Sequence, residues 1–426
     1  MPRRRWRIGL LLGAGVLVNY IDRINLSVAA PQLQQQFGLG NAQLGVLFSA
    51  FFWTYALLQI PSGVLLDRFG VTRIGRIGIL LWSAASMLAA IAGGFGGLLL
   101  ARVVLGAAEA PGFPANAKAV GHWFPRAERA TATAMFDAAA KFSNVIGVPL
   151  VAFVTVGAGW RWGFGATAVL SLAYFLVFWR FYRDPGADRH LSAAEHRLIL
   201  KGGAIPEGSS AQGSAGMLVY LLRARKVWGL TLGFACYGYC FYFLLTWLPG
   251  YLVQAMNQSI LQSAGYTTIP WLCATIADLI VGGWWVDRLI RQGHDENRVR
   301  KSVLVGGMLI GLAVFGAVLT DDPRWAILWI SLSLSGLAAA APVGWSIPAL
   351  IAPRGATASV GGIMNFMNNL MGIAAPIATG AIVAVTHSFG GAFFLAGAML
   401  VAGIVSYVFL LGDIVPIPDP PAKTAS

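Results

Sequence analysis

The stretch LFSAFFWTYALLQIPSGVLLDRFG, residues 47–70, joins a long apolar run to a short polar signature. A helix of about 20 apolar residues crosses a bilayer, and this run is long enough to do so. It ends in the pattern Gly-x-x-x-Asp-Arg at 63–68, and the same pattern returns at 283–288, after another apolar run. A repeat of this kind indicates a chain built from two related halves.

Apolar runs fill the rest of the chain as well. Of its 426 residues, 57% are hydrophobic and 11% are charged, whereas soluble proteins are about a quarter charged. We therefore expect an all-α integral membrane protein whose partner along its whole length is the lipid bilayer. Hydropathy predicts twelve membrane-spanning helices, at 8–30, 43–66, 74–93, 96–118, 131–155, 160–182, 227–253, 264–287, 301–319, 325–350, 357–384 and 388–411.

The distribution of basic residues gives an independent test of this topology. If the chain starts in the cytoplasm, 25 of its 30 Lys and Arg residues fall in cytoplasmic segments and two fall in outside loops. This asymmetry is the positive-inside pattern, and it predicts that both termini are cytoplasmic. The net charge of +13 is spread over many loops rather than one surface, so we expect no nucleic-acid partner.

The longest polar stretch divides the chain. We predict a six-helix bundle at 1–182, a cytoplasmic linker at 183–226 and a second six-helix bundle at 227–426, related by pseudo-symmetry. Within the linker, Ser192-Ala-Ala-Glu195 has the spacing of a capping box and predicts a short surface helix.

Nothing in the sequence indicates an enzyme or a metal centre. The three cysteines all lie inside apolar runs, and no nucleophile–base arrangement or phosphate-binding loop is present. We expect no cofactor.

Ionisable side chains inside membrane spans are costly, so each is a functional candidate. Six of the seven lie in the first half, which predicts that this half handles charge, while the second half supplies neutral polar and aromatic groups. The seven are Asp22, Arg23, Arg102, Glu109, Asp137, Lys141 and Asp278.

The spacing of the first four constrains their geometry. Adjacent helical residues point about 100° apart, so Asp22 and Arg23 need not pair with each other. Arg102 and Glu109 are two turns apart, which places both on one helix face. Instead of a functional role, the first pair can form a polar cluster that packs helices. The second pair can form a fixed structural salt bridge.

The other three remain ambiguous. Asp137 and Lys141, at i and i+4, can neutralise each other, or Lys141 can serve as a second cation for an anion. Asp278 can line a cavity or bond a neighbouring helix.

In the second half, three asparagines of one predicted span share a face by their spacing. Asn365, Asn368 and Asn369 need hydrogen-bond partners in an apolar environment. We expect this face to look inward.

The sequence resembles the major facilitator superfamily, and within it the anion:cation symporters. The resemblance rests on the signature loop at 63–73 and on NYIDRINLSVAAP (19–31), EAPGFPAN (109–116) and FYFLLTWLPGYL (241–252), besides the opening stretch. It implies alternating access between two bundles in a bacterial inner membrane, a monomer, and import of a small organic anion with protons as the coupling ion.

The substrate stays open at this point. Sugar acids such as galactonate, glucarate or a hexuronate fit the resemblance best, but the same branch carries aromatic acids, nicotinate, tartrate and phosphate. An efflux antiporter shares the fold; a pump for cationic drugs should have acidic pocket walls instead of three buried cations.

The resemblance also implies roles for individual residues. Asp22 and Glu109 match proton-coupling positions, with Arg102 as the charge partner of Glu109, and Arg23 matches a contact to the substrate carboxylate. Further substrate-binding candidates are Tyr20, Tyr55, Trp345, Asn365 and Lys141, although Lys141 has no match in galactonate-type sequences.

The signature loop and its repeat imply a conformational motif. Its glycines are expected to allow close helix approach, and Asp67 and Arg68 to tie helix ends on the cytoplasmic side. The motif residues are Gly63, Asp67, Arg68, Gly70 and Arg73, with Gly283, Asp287 and Arg288 in the repeat.

Overall fold

A computed structural model describes residues 4–125, 128–204, 215–353 and 356–419. These residues form helices and connecting loops, with no β-strand among them. The stretch 205–214 of the predicted linker lies outside the described residues, as do Arg354 and Lys423 of the positive-inside pattern.

Contacts divide the chain into two compact units. The first comprises Met1–Ser210 and Gln258–Thr268, and the second comprises Ala211–Asn257 and Ile269–Ser426.

The described part of the first unit contains seven α-helices, of which the last is a short surface helix. They are α1 (Arg4–Phe37), α2 (Asn41–Ala90), α3 (Phe95–Glu109), α4 (Gly112–Trp123), α5 (Arg129–Ala158), α6 (Trp160–Phe181) and α7 (Ala193–Lys201).

Gly70 divides α2 into two membrane crossings. Its φ of 76° and ψ of 164° lie outside the helical region, in a conformation that side chains rarely adopt. Just beyond it, the hydroxyl of Thr72 donates to Asp184 Oδ2 at 2.8 Å. The glycine of the signature loop is therefore the point at which the chain reverses.

Close packing of α2 on α3 brings their backbones together. A Cβ at Gly106 would lie 2.0 Å from the backbone oxygen of Phe51, so no larger residue fits. The Thr54 hydroxyl donates to the carbonyl of Val103 at 2.6 Å across the same contact. Small residues at such contacts let membrane helices approach closely, and this approach places Phe51 beside α3.

The surface helix α7 is predicted correctly and is fastened to the start of α1. Ser192 caps it by accepting from the Glu195 amide at 3.2 Å. The buried Glu195 carboxylate in turn accepts from the backbone amides of Arg4 and Arg5, at 3.1 and 3.2 Å. Arg4 also bonds Asp188 at 2.7 Å.

The second unit repeats the helical pattern, with several irregular turns. Its helices are α8 (Ala215–Arg223), α9 (Arg225–Gln254), α10 (Ile260–Ala277, whose first residues pack in the first unit), α11 (Val286–Arg291), α12 (Glu296–Gly311), α13 (Pro323–Ile351), α14 (Thr357–Thr386) and α15 (Gly390–Val405). π-Helical segments at Asp278–Trp285 and Ser406–Leu411 and a 3₁₀ segment at Leu312–Leu319 extend the membrane helices.

The glycines of the signature motif do not sit at helix contacts in this structure. A Cβ at Gly63 would meet no atom of the described residues within 4 Å, and one at Gly283 would lie 3.8 Å from a carbonyl of its own helix. The neighbouring Gly282 makes the close contact instead, because a Cβ there would lie 2.6 Å from the backbone oxygen of Ala339. The expected close approach at Gly63 and Gly283 is therefore not found.

The helices confirm the membrane prediction. Eleven stretches of the described residues are long and apolar enough to cross a membrane, and they match predicted spans two to twelve. The helix of the first span, α1, is not one of the eleven, because Asp22, Arg23 and neighbouring asparagines interrupt its apolar run. Large side chains such as Leu57 and Phe153 are exposed, as expected for a surface that faces lipid.

Candidate functional site

Arg23 is held among three aromatic rings inside the first unit. The carbon of its guanidinium lies 4.6 Å from the ring centroid of Tyr20, 4.6 Å from that of Phe51 and 4.8 Å from that of Tyr55. The side chain is 7% exposed. A cation over ring faces is attracted by their quadrupoles, so the rings fix the guanidinium where water has little access.

Glu109 forms the ion pair with this arginine. Arg23 Nε lies 2.8 Å from Glu109 Oε2, and the glutamate side chain is fully buried. Glu109 is the last residue of α3, just before the helix is interrupted at Pro111. Two buried charges are costly unless they pair closely, yet Arg23 Nη2 and Glu109 Oε1 have no hydrogen-bond partner in the described chain.

The charge partner predicted for Glu109 was Arg102, and the structure corrects this. The seven-residue spacing does share a face, but about 10 Å of helix rise separates the two positions. Helix α1 instead brings Arg23 to the end of α3. Arg102 is buried over the ring of Phe51, at 5.3 Å, and its Nε and Nη1 have no hydrogen-bond partner among the described residues.

Asp22 points away from Arg23, as the 100° angle between neighbours allows. Its carboxylate accepts from the hydroxyls of Ser86 on α2 and Ser171 on α6, at 2.9 and 2.5 Å. Asp22 is 2% exposed. The first unit therefore holds two carboxylates in different settings, one on hydroxyls and one on a guanidinium.

Three residues of this site were missed from the sequence. Phe51, Ser86 and Ser171 lie in apolar runs, where phenylalanine and serine are common and carry no signal of their own.

Asp137 and Lys141 form the i,i+4 pair that their spacing allows. Lys141 Nζ lies 3.0 Å from Asp137 Oδ2, with side chains 8% and 31% exposed, respectively. A role for Lys141 in substrate binding stays a prediction.

In the second unit, two of the three asparagines join helices. Asn368 donates to the hydroxyl of Tyr242, and that hydroxyl donates to Asn369, each at 3.4 Å. This bridge ties α14 to α9. These two residues therefore join helices, and Asn365, half-buried on the same helix, stays the binding candidate.

The remaining candidates of the second unit are Trp345 and Asp278. Trp345 is exposed and packs edge-on against Phe234, with centroids 5.1 Å apart. Asp278 is buried at the start of a π-helical segment. A role in lining a cavity and a bond to a neighbouring helix both stay predictions for this residue.

The motif carboxylate of the first unit pairs with a lysine of another helix. Asp67 accepts from Lys118 at 2.6 Å, which joins α2 to α4. The arginines that follow each motif aspartate lie over a ring, Arg68 over Phe69 at 5.2 Å and Arg288 over Trp284 at 5.1 Å.

Comparisons with known proteins agree with this architecture. Residues 12–376 match the family model described as Major Facilitator Superfamily. The chain is 42% identical over 411 residues to "Uncharacterized transporter YybO" of Bacillus subtilis (strain 168), covering 96% of this chain and 94% of that one. It is 32% identical over 418 residues to "D-galactonate transporter" of Escherichia coli O6:H1, covering 97% and 96%.

A solved structure supports the fold. The crystal structure of a bacterial homolog to the human lysosomal transporter Spinster superposes with a TM-score of 0.71 at 18% identity, covering 96% of this chain and 95% of that one. Full-length similarity to transporters and an all-helical fold identify a membrane transporter and not an enzyme. The chain belongs to the major facilitator superfamily.

Proposed function

We propose that this transporter imports a small organic anion, a sugar acid, together with protons by alternating access across a bacterial inner membrane. The observation that carries the proposal is the buried ion pair between Arg23 and Glu109.

The first step of the argument concerns the anion. Arginine presents a planar fork of donors that fits a carboxylate, and the rings of Tyr20, Phe51 and Tyr55 hold that fork in place. One donor nitrogen, Arg23 Nη2, is buried without a partner among the described residues. A substrate carboxylate can use this donor and compete with Glu109 for the others.

The second step couples that competition to protons. Protonation of Glu109 removes the negative charge that occupies Arg23, and the guanidinium then has a full charge for the substrate. Linkage is reciprocal: an anion that displaces Glu109 leaves the carboxylate buried without its cation, which favours proton uptake. Proton and anion therefore load together.

Asp22 supplies a second position for a proton. It lies next to Arg23 in sequence but is held by Ser86 and Ser171, so it can change its protonation state without breaking the arginine pair.

The driving force is adequate for uptake against a gradient. One net positive charge that moves inward contributes about 2.3 kcal/mol per 100 mV. This corresponds to roughly 50-fold accumulation, at tenfold per 1.4 kcal/mol.

Two observations favour a sugar acid among anions. A relative similar over nearly the whole chain is named as a D-galactonate transporter. The candidate residues of the second unit, Trp345 and Asn365, are a ring and a neutral amide, which suit hydroxyl groups and a sugar face better than a second full charge.

The proposal is tested in proteoliposomes with an imposed pH gradient, alkaline inside. Wild type should accumulate D-galactonate or D-glucarate more than nicotinate or phosphate. Glu109→Gln should lose gradient-driven accumulation but continue exchange of labelled for unlabelled substrate. Glu296→Gln is the matched control, because Glu296 pairs with Arg300 at 2.8 Å but is about half exposed.

Three outcomes would contradict it. Accumulation that ignores the pH gradient would remove the proton coupling. Transport of a substrate in the direction opposite to protons would favour an antiporter. Normal accumulation by Glu109→Gln would show that the ion pair is structural.

A further inference from the structure

A pocket of about 500 Å³ lies in the second unit where two membrane helices reach the same boundary. Its walls include Arg225, the first residue of α9, and Leu411, the last residue of the helical stretch that begins at Gly390. Both stretches are long enough to cross a membrane. The pocket therefore sits at the level of the lipid headgroups, on the side where the basic loops predict the cytoplasm.

Three cations line this pocket. Arg223, Arg225 and Lys226 contribute to its walls, and none of them forms a salt bridge within the described part of the chain. Arg225 Nη2 donates to the carbonyl of Phe409 at 2.5 Å, and Lys226 Nζ to that of Val415 at 3.2 Å. Carbonyls are neutral, so the positive charge is not compensated by carboxylates.

One carboxylate of the C-terminal segment, Asp413, is engaged elsewhere. Asp413 accepts from the side-chain amide of Asn297 at 3.0 Å. The segment itself is held against α8, because the hydroxyl of Tyr220 donates to the carbonyl of Pro418 at 2.8 Å.

An apolar surface adjoins the cations. On α8, the exposed side chains of Leu218, Val219 and Leu222 occupy neighbouring positions at i, i+1 and i+4, on one side of the helix. Arg223 ends the helix. A short helix with an apolar side and a basic end is typical of a segment that lies in the membrane interface.

We propose that this pocket binds the headgroup of an anionic phospholipid. The phosphodiester lies on Arg223, Arg225 and Lys226, and the acyl chains cover the exposed face of α8. Charge complementarity selects an anion, and the adjoining apolar face selects a lipid over a free phosphate, which has nothing to place there. The bound lipid holds the first turn of α9 at the membrane boundary.

The test measures lipid binding to the purified full chain by native mass spectrometry and by thermal stability. The probes are dioleoylphosphatidylglycerol, dioleoylphosphatidylcholine and inorganic phosphate. Wild type should retain phosphatidylglycerol in preference to phosphatidylcholine. Arg223→Gln/Lys226→Gln should weaken phosphatidylglycerol binding roughly 25-fold, since each cation near a membrane surface contributes about fivefold.

Two further variants keep the test decisive. Arg223→Gln alone removes a side chain that makes no hydrogen bond to the described residues, so it should fold normally and weaken binding roughly fivefold. Arg291→Gln/Arg298→Gln removes two exposed cations of the same unit and should leave binding unchanged.

Equal loss in this control, or no loss in the Arg223 variants, would overturn the proposal. Displacement of the lipid by millimolar inorganic phosphate would show a site for a soluble anion instead. The measurement does not involve transport, so its failure is distinct from a failure of the proposed function.

Discussion

The two units contain different kinds of buried polar groups. The first buries Asp22, Arg102 and Glu109 together with the side chain of Arg23. In the described part of the second unit, Asp278 is the buried charged residue, and the other buried polar side chains are hydroxyls and amides such as Asn369. Because both units repeat one helical pattern, the difference lies in side chains, and the proposed function assigns the handling of charge to the first unit and neutral contacts to the second.

The largest effect expected from this comparison is at Arg23. Arg23→Gln removes the cation and leaves Glu109 buried without its partner. This change lowers the free energy of unfolding by about 3–5 kcal/mol. Apart from that loss of stability, the substrate carboxylate loses its charged hydrogen-bond partner, which costs about 2–5 kcal/mol of binding free energy. Uptake should fall by at least roughly 30-fold, while Asn365→Ala in the second unit should cost about tenfold or less. Initial rates in proteoliposomes measure both. Equal losses of uptake at the two positions would contradict the proposed division of roles between the two units.

A conservative variant sharpens the same point. Arg23→Lys keeps the charge but loses the fork of donors, so it should fall between wild type and Arg23→Gln. Activity at the wild-type level would mean that charge alone suffices.

The next effect concerns accumulation and not rate. Asp22→Asn preserves the shape of the side chain near Ser86 and Ser171 but cannot release a proton. The accumulation ratio driven by the pH gradient should collapse toward one, while exchange continues. Asp278→Asn is the counterpart in the second unit and should keep its accumulation ratio. The steady-state ratio under a fixed pH gradient decides between them, and a normal ratio in Asp22→Asn would remove this residue from coupling.

Much of this arrangement followed from residue type and spacing, and the rest depended on neighbouring helices. The cost of charge in lipid was enough to single out Arg23 and Glu109. The resemblance implies Arg102 as the partner of Glu109, and spacing along α3 cannot show that α1 packs against its end. Ser171 becomes informative once α6 is seen to pack beside Asp22, because a serine in an apolar run has many uses.

The glycines teach a related lesson about packing. The motif predicted close contacts at Gly63, but close contacts fall at other glycines, among them Gly106 and Gly282. Which face of a helix meets its neighbour depends on a rotation of one residue, and local sequence does not determine that rotation.

A smaller effect is expected in the second unit. Tyr242→Phe removes the hydroxyl that bridges Asn368 and Asn369 and leaves two buried amides short of a partner. The free energy of unfolding should fall by about 1–3 kcal/mol, while the accumulation ratio stays at the wild-type value. Thermal unfolding in detergent and uptake in liposomes measure the two quantities. A loss of coupling without a loss of stability would assign proton handling to both units.

The smallest effect involves a charge pair outside the membrane spans. The side-chain hydrogen bond from Arg5, at 2.7 Å, lowers the pKa of Glu128. A lowered pKa stabilises the fold at pH values above the ordinary carboxyl range, and this contribution is lost as the pH falls through the folded-state pKa. Glu128→Gln should therefore be slightly less stable than wild type at pH 7, and the gap should close toward pH 3. A gap that persists at pH 3 would mean that the carboxylate charge is not its cause.

The bond between Glu195 and the start of α1 has a consequence for biosynthesis. The amide of Arg4 and the carboxylate of Glu195 are 191 residues apart in the chain. At about 5–20 residues per second, the ribosome needs roughly 10–40 s to reach that glutamate after it has made Arg4. These amides of the first turn therefore lack their carboxylate partner until α2 to α6 have been synthesised.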